Sequence, residues 1–278
     1  MSLDLEKSLQ HVQQEIETFS DPEIGYPANH FAFIPVRERF RSGGVSSLVE
    51  VGVGHGSAIP VFTAEGIRMS GFDIKPELVV ESRERAQEFG QDPHSFIEAD
   101  IEIPDTYIDL VGAGEFDALV AMGVLPHVKN TDAALLNMSG LVRPGGHVAI
   151  EFRNSLFSLF TFNRYTREFI IDDLLNGVSS ASREIMDKAL AERIDVTKPG
   201  PATSAFHNPF EVEKVFQRLG FLDIEIIPFH YHAFMPSQES IDPQEFRMQS
   251  MALESEKSGW RGLFLCSAFL VYARTPSS

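Results

Sequence analysis

The chain has 278 residues, 43% of them apolar, enough for a substantial buried core; 23 basic against 40 acidic side chains leave a formal charge of −17. So acidic a surface repels nucleic-acid backbones and anionic lipid headgroups, which argues against both as partners. A single cysteine, Cys266, forms no internal disulfide, no run approaches the roughly 20 apolar residues of a membrane span, and the charged N-terminus lacks a signal core, so a soluble, cytoplasmic protein is expected.

Leu5, Leu9, Val12, Ile16 and Phe19 recur three or four apart and predict an amphipathic helix over 3–19. "SDPEIGYP" breaks it, and "NHFAFIPVRERFR" reads as a second short helix. From Ser46 the pattern turns regular. Strands are expected at Ser47–Val51, Arg68–Asp73, His94–Ala99, Phe116–Met122 and His147–Phe152, with helices at Ser57–Glu65, Glu77–Phe89, Pro104–Val111 and Thr131–Leu141. This alternation predicts an α/β fold with a parallel sheet and helices on both faces. Residues 154–208 interrupt the series with helix-like pieces. "NPFEVEKVFQRLGF" then supplies an N-cap at Asn208, Pro209 at the first helical position and a stop at Gly220. "FLDIEIIPFHYHAF" and "GLFLCSAFLVYAR" read as two more strands, separated only by a polar stretch (237–259) and therefore able to pair antiparallel.

Chemistry concentrates after the first strand, in "LVEVGVGHGS". Gly52, Gly54 and Gly56 remove side chains where a helix start offers unpaired N–H groups, so a ligand can rest on bare backbone. The G-x-G-x-G order departs from the dinucleotide spacing, and Glu50 just ahead of it opposes a pyrophosphate but suits a cationic ligand. Asp73 ends the second strand where an acid can hold both ribose hydroxyls, although the same position also suits a helix cap. Asp100 follows the third strand, with Ile101 as an apolar wall; "FDALVAMGVLPHV" and "LVRPGGHVAIEF" complete the series.

In this order the five marks resemble the class I S-adenosylmethionine-dependent methyltransferases, over roughly residues 46–152 and more loosely 209–273. The resemblance implies a Rossmann-like seven-stranded mixed sheet whose last strand is antiparallel and lies between strands five and six. It also implies S-adenosyl-L-methionine as cofactor. The three glycines would pass beneath its methionine part and ribose, with Glu50 near the amino group and Asp73 and Ile74 at the ribose. Asp100 and Ile101 would frame the adenine, and Met122, Gly123 and His127 would line the floor. Residues 1–45 would then be an N-terminal helical cap segment on a methyltransferase domain over 46–278, with 154–208 as a helical insertion after strand five.

Ligands bind such sheets at the carboxyl ends of the strands, so the cap and the insertion are expected to cover that edge. Candidate contacts to a small-molecule acceptor are Tyr26, Arg153, Asn154, Tyr165, His207, His230 and His232. Alternation sends His230 and His232 to one side of a strand, but without a third ligand no metal site is expected. The insertion, "HYHAFMP" and "WRGLFLCSAFLVYAR" loosely resemble methyltransferases of sugar and cell-surface polysaccharide biosynthesis, which suggests a sugar hydroxyl as acceptor. Methyl transfer needs alignment above all, and an alcohol also needs a base; His127, His207 and His232 are the candidates. A nicotinamide-dependent oxidoreductase and a non-catalytic cofactor-binding protein are the competing readings.

Overall fold

Apolar runs bounded by turn chemistry give the strands, and capped segments give the helices. A computed structural model describes residues 3–21, 26–108, 110, 116–194, 205–256 and 259–277. Helix α1 (Leu5–Glu17) starts where Asp4 accepts the Lys7 N–H, and α2 (Ala28–Ser42) follows with Pro35 inside it. Strand β1 (Ser47–Val51), α3 (Ala58–Thr63), β2 (Arg68–Asp73), α4 (Pro76–Glu88), β3 (Phe96–Glu98), β4 (Phe116–Ala121), α5 (Thr131–Leu141) and β5 (Val142–Arg153) form the regular series. Short helices α6 (Ser158–Thr161) and α7 (Arg164–Glu168), a π-helical turn (Phe169–Leu174) and α8 (Ser180–Ala191) come next. Helix α9 (Pro209–Arg218), β6 (Leu222–Tyr231), α10 (Pro243–Glu256), α11 (Gly262–Leu265) and β7 (Cys266–Arg274) complete the chain.

The seven strands form one sheet in the order β3-β2-β1-β4-β5-β7-β6, with helices on both faces. Strands β1 to β5 pair in parallel: Leu48, for example, lies opposite Met69 of β2 and Ala118 of β4. Their central residues are buried on both faces, so β1 and β4 bury successive residues rather than alternate ones. Strand β7 runs the other way. Backbone bonds link Gly145 to Pro276, Gly146 to Thr275 and Asn154 to Ser267, numbers that rise on one strand as they fall on the other. At the foot of β4, Asp117 gathers the N–H groups of Ser46 and Ser47 and the Arg143 guanidinium, which together hold its carboxyl well below the usual range. Glu65, after α3, clasps Arg37 and Arg41 of α2 at 2.5 and 2.6 Å.

The chain divides into two compact units, one comprising residues 1–152, 212–227 and 270–278, the other 153–211 and 228–269. The helices of segment 1–45 thus share a unit with β1 to β4, and the second unit joins the insertion to a stretch that begins inside β6.

Several expectations fail for local reasons. The helix expected over Pro104–Val111 is a single 3-10 turn, Pro104–Thr106, because the Thr106 hydroxyl binds the carbonyls of Ile103 and Asp100; residue 111 lies outside the described residues. The polar stretch 237–259 contains α10, whose buried positions include the polar Arg247 and Ser250, so apolar spacing does not reveal it. The fifth strand starts at Val142 rather than His147, and the Pro-Gly-Gly segment is an irregularity within it, where pairing jumps from Phe116–Val142 to Ala118–His147. In α1, Val12 is buried but Leu5, Leu9 and Ile16 stay 44%, 54% and 40% exposed.

Candidate functional site

In the first unit the carboxyl ends of β1, β2 and β4 meet around a cavity of about 600 Å3. Gly52, Gly54, Asp73, Ile74, Asp100, Ile101, Met122, Gly123 and His127 all line it. The sequence reading passed over Lys75, Leu78, Glu102, Val124 and Lys129, which also face the cavity. They flank the acids and the Gly123 loop, and adjacency to those marks is the only signal they leave in the sequence. Tyr26 is not among the lining residues; its ring lies 6.2 Å from that of Phe31.

The three glycines of the loop all have positive φ, 74°, 51° and 73° at Gly52, Gly54 and Gly56, but they are bare for different reasons. A β-carbon at Gly52 would lie 2.4 Å from Val124 Cγ2, and one at Gly56 would lie 2.9 Å from Ile59 Cδ1 and 3.2 Å from Arg85 Cβ. At Gly54 it would meet nothing within 4 Å. Gly56 is absent from the cavity wall. Gly56 admits the protein's own side chains, and Gly54 is the loop position that opens onto free space.

Asp73 serves the turn as well as the cavity. Its Oδ2 accepts the Gly54 N–H and its Oδ1 the Lys75 N–H, each at 3.0 Å, so it holds the glycine loop against the start of α4. Asp100 similarly accepts the Glu102 N–H at 2.8 Å. The Gly123 N–H donates to Glu151 at 2.8 Å, which fixes the loop after β4. Phe72, on the cavity wall, stacks with Tyr107 at 5.1 Å.

Glu50 stands just before the cavity-lining Val51 and is itself not on the wall. It is 3% exposed, and its Oε2 has no hydrogen-bond partner among the described residues. Burial, and then the negative charge of Asp73, push its carboxyl well above the usual range. A buried carboxylate oxygen without a donor is unfavourable in the ligand-free protein and is met by a cationic group with N–H donors. The site therefore fits a ligand that carries an ammonium and ribose hydroxyls.

The remaining candidates belong to the second unit. Both amide hydrogens of Asn154 donate to the carbonyls of Leu263 and Cys266, so its donors are spent on the fold. His207 forms a parallel bridge with Asn154 through the Arg153 carbonyl and the Ser155 N–H, and burial lowers its pKa. The Tyr165 ring packs 5.0 Å from Phe206, and its hydroxyl accepts from Arg164 at 3.1 Å. The His230 and His232 rings lie together, 4.7 Å apart, although His230 has a left-handed φ of 61° rather than a regular strand conformation. Desolvation, then His232 and Arg153, push His230 down to about 3. Glu239, which no spacing in the sequence singles out, meets His232 Nδ1 at 2.6 Å.

Comparison with known families matches residues 49–148 to a methyltransferase domain. A demethylmenaquinone methyltransferase of Tropheryma whipplei (strain Twist) is 23% identical over 152 residues, 54% of this chain and 60% of that protein. A ubiquinone biosynthesis O-methyltransferase of Methylobacterium sp. (strain 4-46) is 32% identical over 126 residues, 45% of this chain and 44% of that protein. The chain thus spans about half the length of the curated relatives it matches. The crystal structure of an S-adenosylmethionine-dependent methyltransferase from Mesorhizobium loti superposes with a TM-score of 0.50 at 16% identity, covering 87% of this chain and 97% of that one. Strand order, antiparallel last strand and family match agree: residues 49–148 match a methyltransferase domain, and the chain has the Rossmann-like seven-stranded methyltransferase fold.

Proposed function

We propose that the protein transfers a methyl group from S-adenosyl-L-methionine to a hydroxyl of a small polar acceptor. The observation that carries this reading is the buried, partnerless carboxylate oxygen of Glu50 behind a cavity that Gly54 leaves open and Asp73 lines. A pyrophosphate would be repelled there, which weighs against the oxidoreductase. In this assignment Glu50 receives the cofactor's ammonium, Asp73 and Ile74 its ribose, Asp100 and Ile101 its adenine, and Met122, Gly123 and His127 the reacting end. The cofactor supplies an electrophilic methyl on a sulfonium; the protein's task is alignment, worth up to about 7–11 kcal/mol in favourable cases.

Oxygen as the accepting atom draws support from the O-methyltransferase relatives. A sugar and an intermediate of the kind those relatives' names indicate both provide a hydroxyl, and a histidine base accelerates transfer to either by about 10²–10⁴-fold. Exposed His127 lines the cavity, and His207 and His232 are the other candidates. Calorimetry with S-adenosylmethionine, S-adenosylhomocysteine and NAD(H) tests the ligand. Tight NAD(H) binding without the other two overturns the reading. Transfer of tritiated methyl into a metabolite panel then separates an enzyme from a binder.

A further inference from the structure

In the first unit, the loop after β4 forms one part of the cavity wall: Met122, Gly123, Val124, His127, Val128 and Lys129 all face the cavity. Its middle is a 3-10 turn, Leu125–His127, in which Leu125 and Pro126 are buried and the His127 N–H reaches the Val124 carbonyl at 2.9 Å. Such a loop has no strand partner, so its other N–H groups need acceptors from elsewhere. Carboxylates supply them at both ends. Glu151 of β5 accepts the Gly123 N–H at 2.8 Å. At the far end, Glu102 Oε1 accepts the Lys129 N–H at 3.0 Å and the Asn130 N–H at 3.2 Å.

Glu102 comes from a different part of the same wall. It follows Asp100 and Ile101 after β3, and all three line the cavity. This stretch is itself fixed: the Glu102 N–H donates to Asp100 Oδ1 and the Asn137 amide of α5 donates to the Ile101 carbonyl, each at 2.8 Å. The Glu102 carboxylate also lies at the start of α5, where Asn130 caps the helix by accepting the Ala133 N–H. Negative charge is favoured at that end of a helix, and an ionised acceptor makes the stronger kind of N–H bond. One half-buried side chain thus joins the wall after β3 to the wall after β4.

We infer that Glu102 is a positioning residue for the reacting end of the cofactor: by holding the Lys129 and Asn130 N–H groups it sets where His127 and Val128 stand. This rests on the S-adenosylmethionine reading above, in which Asp100 and Ile101 frame the adenine and Met122, Gly123 and His127 face the methyl. Glu102 acts through backbone and needs no contact with the sulfur. Its role demands reach, an acceptor oxygen delivered to two N–H groups, more than charge.

The test titrates S-adenosylmethionine and S-adenosylhomocysteine into the full chain by calorimetry, with no acceptor present. The two ligands differ only at sulfur, by one methyl and one positive charge, so the ratio of their dissociation constants reads the reacting end and cancels the adenosine half. Glu102→Ala should shift that ratio by about fivefold or more. Glu102→Asp keeps the charge but is one methylene short, and should shift it too. Glu102→Gln keeps both length and an acceptor oxygen and should stay close to wild type. Asp117→Asn, at the foot of β4, is the control for lost stability alone; it should lower the melting temperature and leave the ratio unchanged. The opposite pattern, a shift in Glu102→Gln with none in Glu102→Asp, would mean that the charge acts directly on the sulfonium and would overturn the inference. An unchanged ratio in Glu102→Asp and Glu102→Ala overturns it as well, and the aspartate variant decides alone where the alanine variant does not fold. If neither ligand binds the wild type, the reading of the cavity falls, and the positioning role with it.

Discussion

Replacing Glu50 with glutamine keeps the shape of the side chain and removes its charge, and the structure fixes what should follow. The folded-state pKa of Glu50 is raised above its ordinary 4.5 by burial and by Asp73. For an acid with a raised folded pKa, the stabilising contribution is complete below the unfolded value and is lost as pH rises through the folded one. Ligand-free wild type should therefore lose stability above pH 4.5 at up to about 1.4 kcal/mol per unit from this group, and Glu50→Gln should not. The two proteins should match near pH 4.5 and separate with the variant more stable at higher pH, as urea unfolding at several pH values would record. Cofactor binding should move the other way. A hydrogen bond to a charged group contributes about 1.5–3 kcal/mol, so the affinity for S-adenosylhomocysteine should fall about 10- to 150-fold. A variant less stable than wild type across the whole range, or one that binds the product as tightly, would refute this account of the corner.

Gly56 and Gly54 of the loop separate packing from binding. Gly56→Ala forces a β-carbon onto Ile59 and Arg85 at positive φ, so thermal unfolding should show a loss of about 1–3 kcal/mol. Gly54→Ala meets no protein atom and should chiefly weaken S-adenosylhomocysteine in calorimetry, beyond the roughly 1–2 kcal/mol of left-handed strain that unfolding reads separately. Asp73→Ala should weaken the same ligand by about 1.5–3 kcal/mol and lower the melting temperature, because the Gly54 and Lys75 N–H groups lose their acceptor; unchanged affinity would mean the ribose lies elsewhere. Asp117 has its pKa depressed, chiefly by Arg143 and the Ser46 and Ser47 N–H groups against the opposing effect of burial, so its contribution is present above the unfolded value of 3.8 and lost as pH falls. Asp117→Asn should flatten the acid limb of a stability-versus-pH curve, and an unaltered limb would refute the clasp.

The sheet was legible because its strands are apolar, short and separated by glycine-rich turns, features that act locally. Arg68–Asp73 and Thr131–Leu141 match their expected bounds for that reason. Helix α10 was hidden because its buried face is polar, and a face that buries Arg247 and Ser250 leaves no hydrophobic period. The site divides along the same line. Gly54, Asp73 and Asp100 sit at strand ends, where position alone predicts a cavity wall. Gly56 shares their motif but answers to Arg85, a neighbour 29 residues on that only the folded chain supplies. Glu239 is invisible for a similar cause: its partnership with His232 arises from how the chain turns back after β6, not from any repeat in the sequence.

The placement of β7 between β5 and β6 sets an order of events during synthesis. When residue 265 leaves the ribosome, β5 and β6 have both emerged, and β5 has β4 on one side, yet neither has β7 beside it. Each then presents an open row of N–H and C=O groups, the kind of edge that recruits other chains. Closure waits on Cys266–Arg274, a nine-residue segment that must insert rather than dock at a border. A strand-disrupting change within Cys266–Arg274 should therefore leave both edges open and favour aggregation.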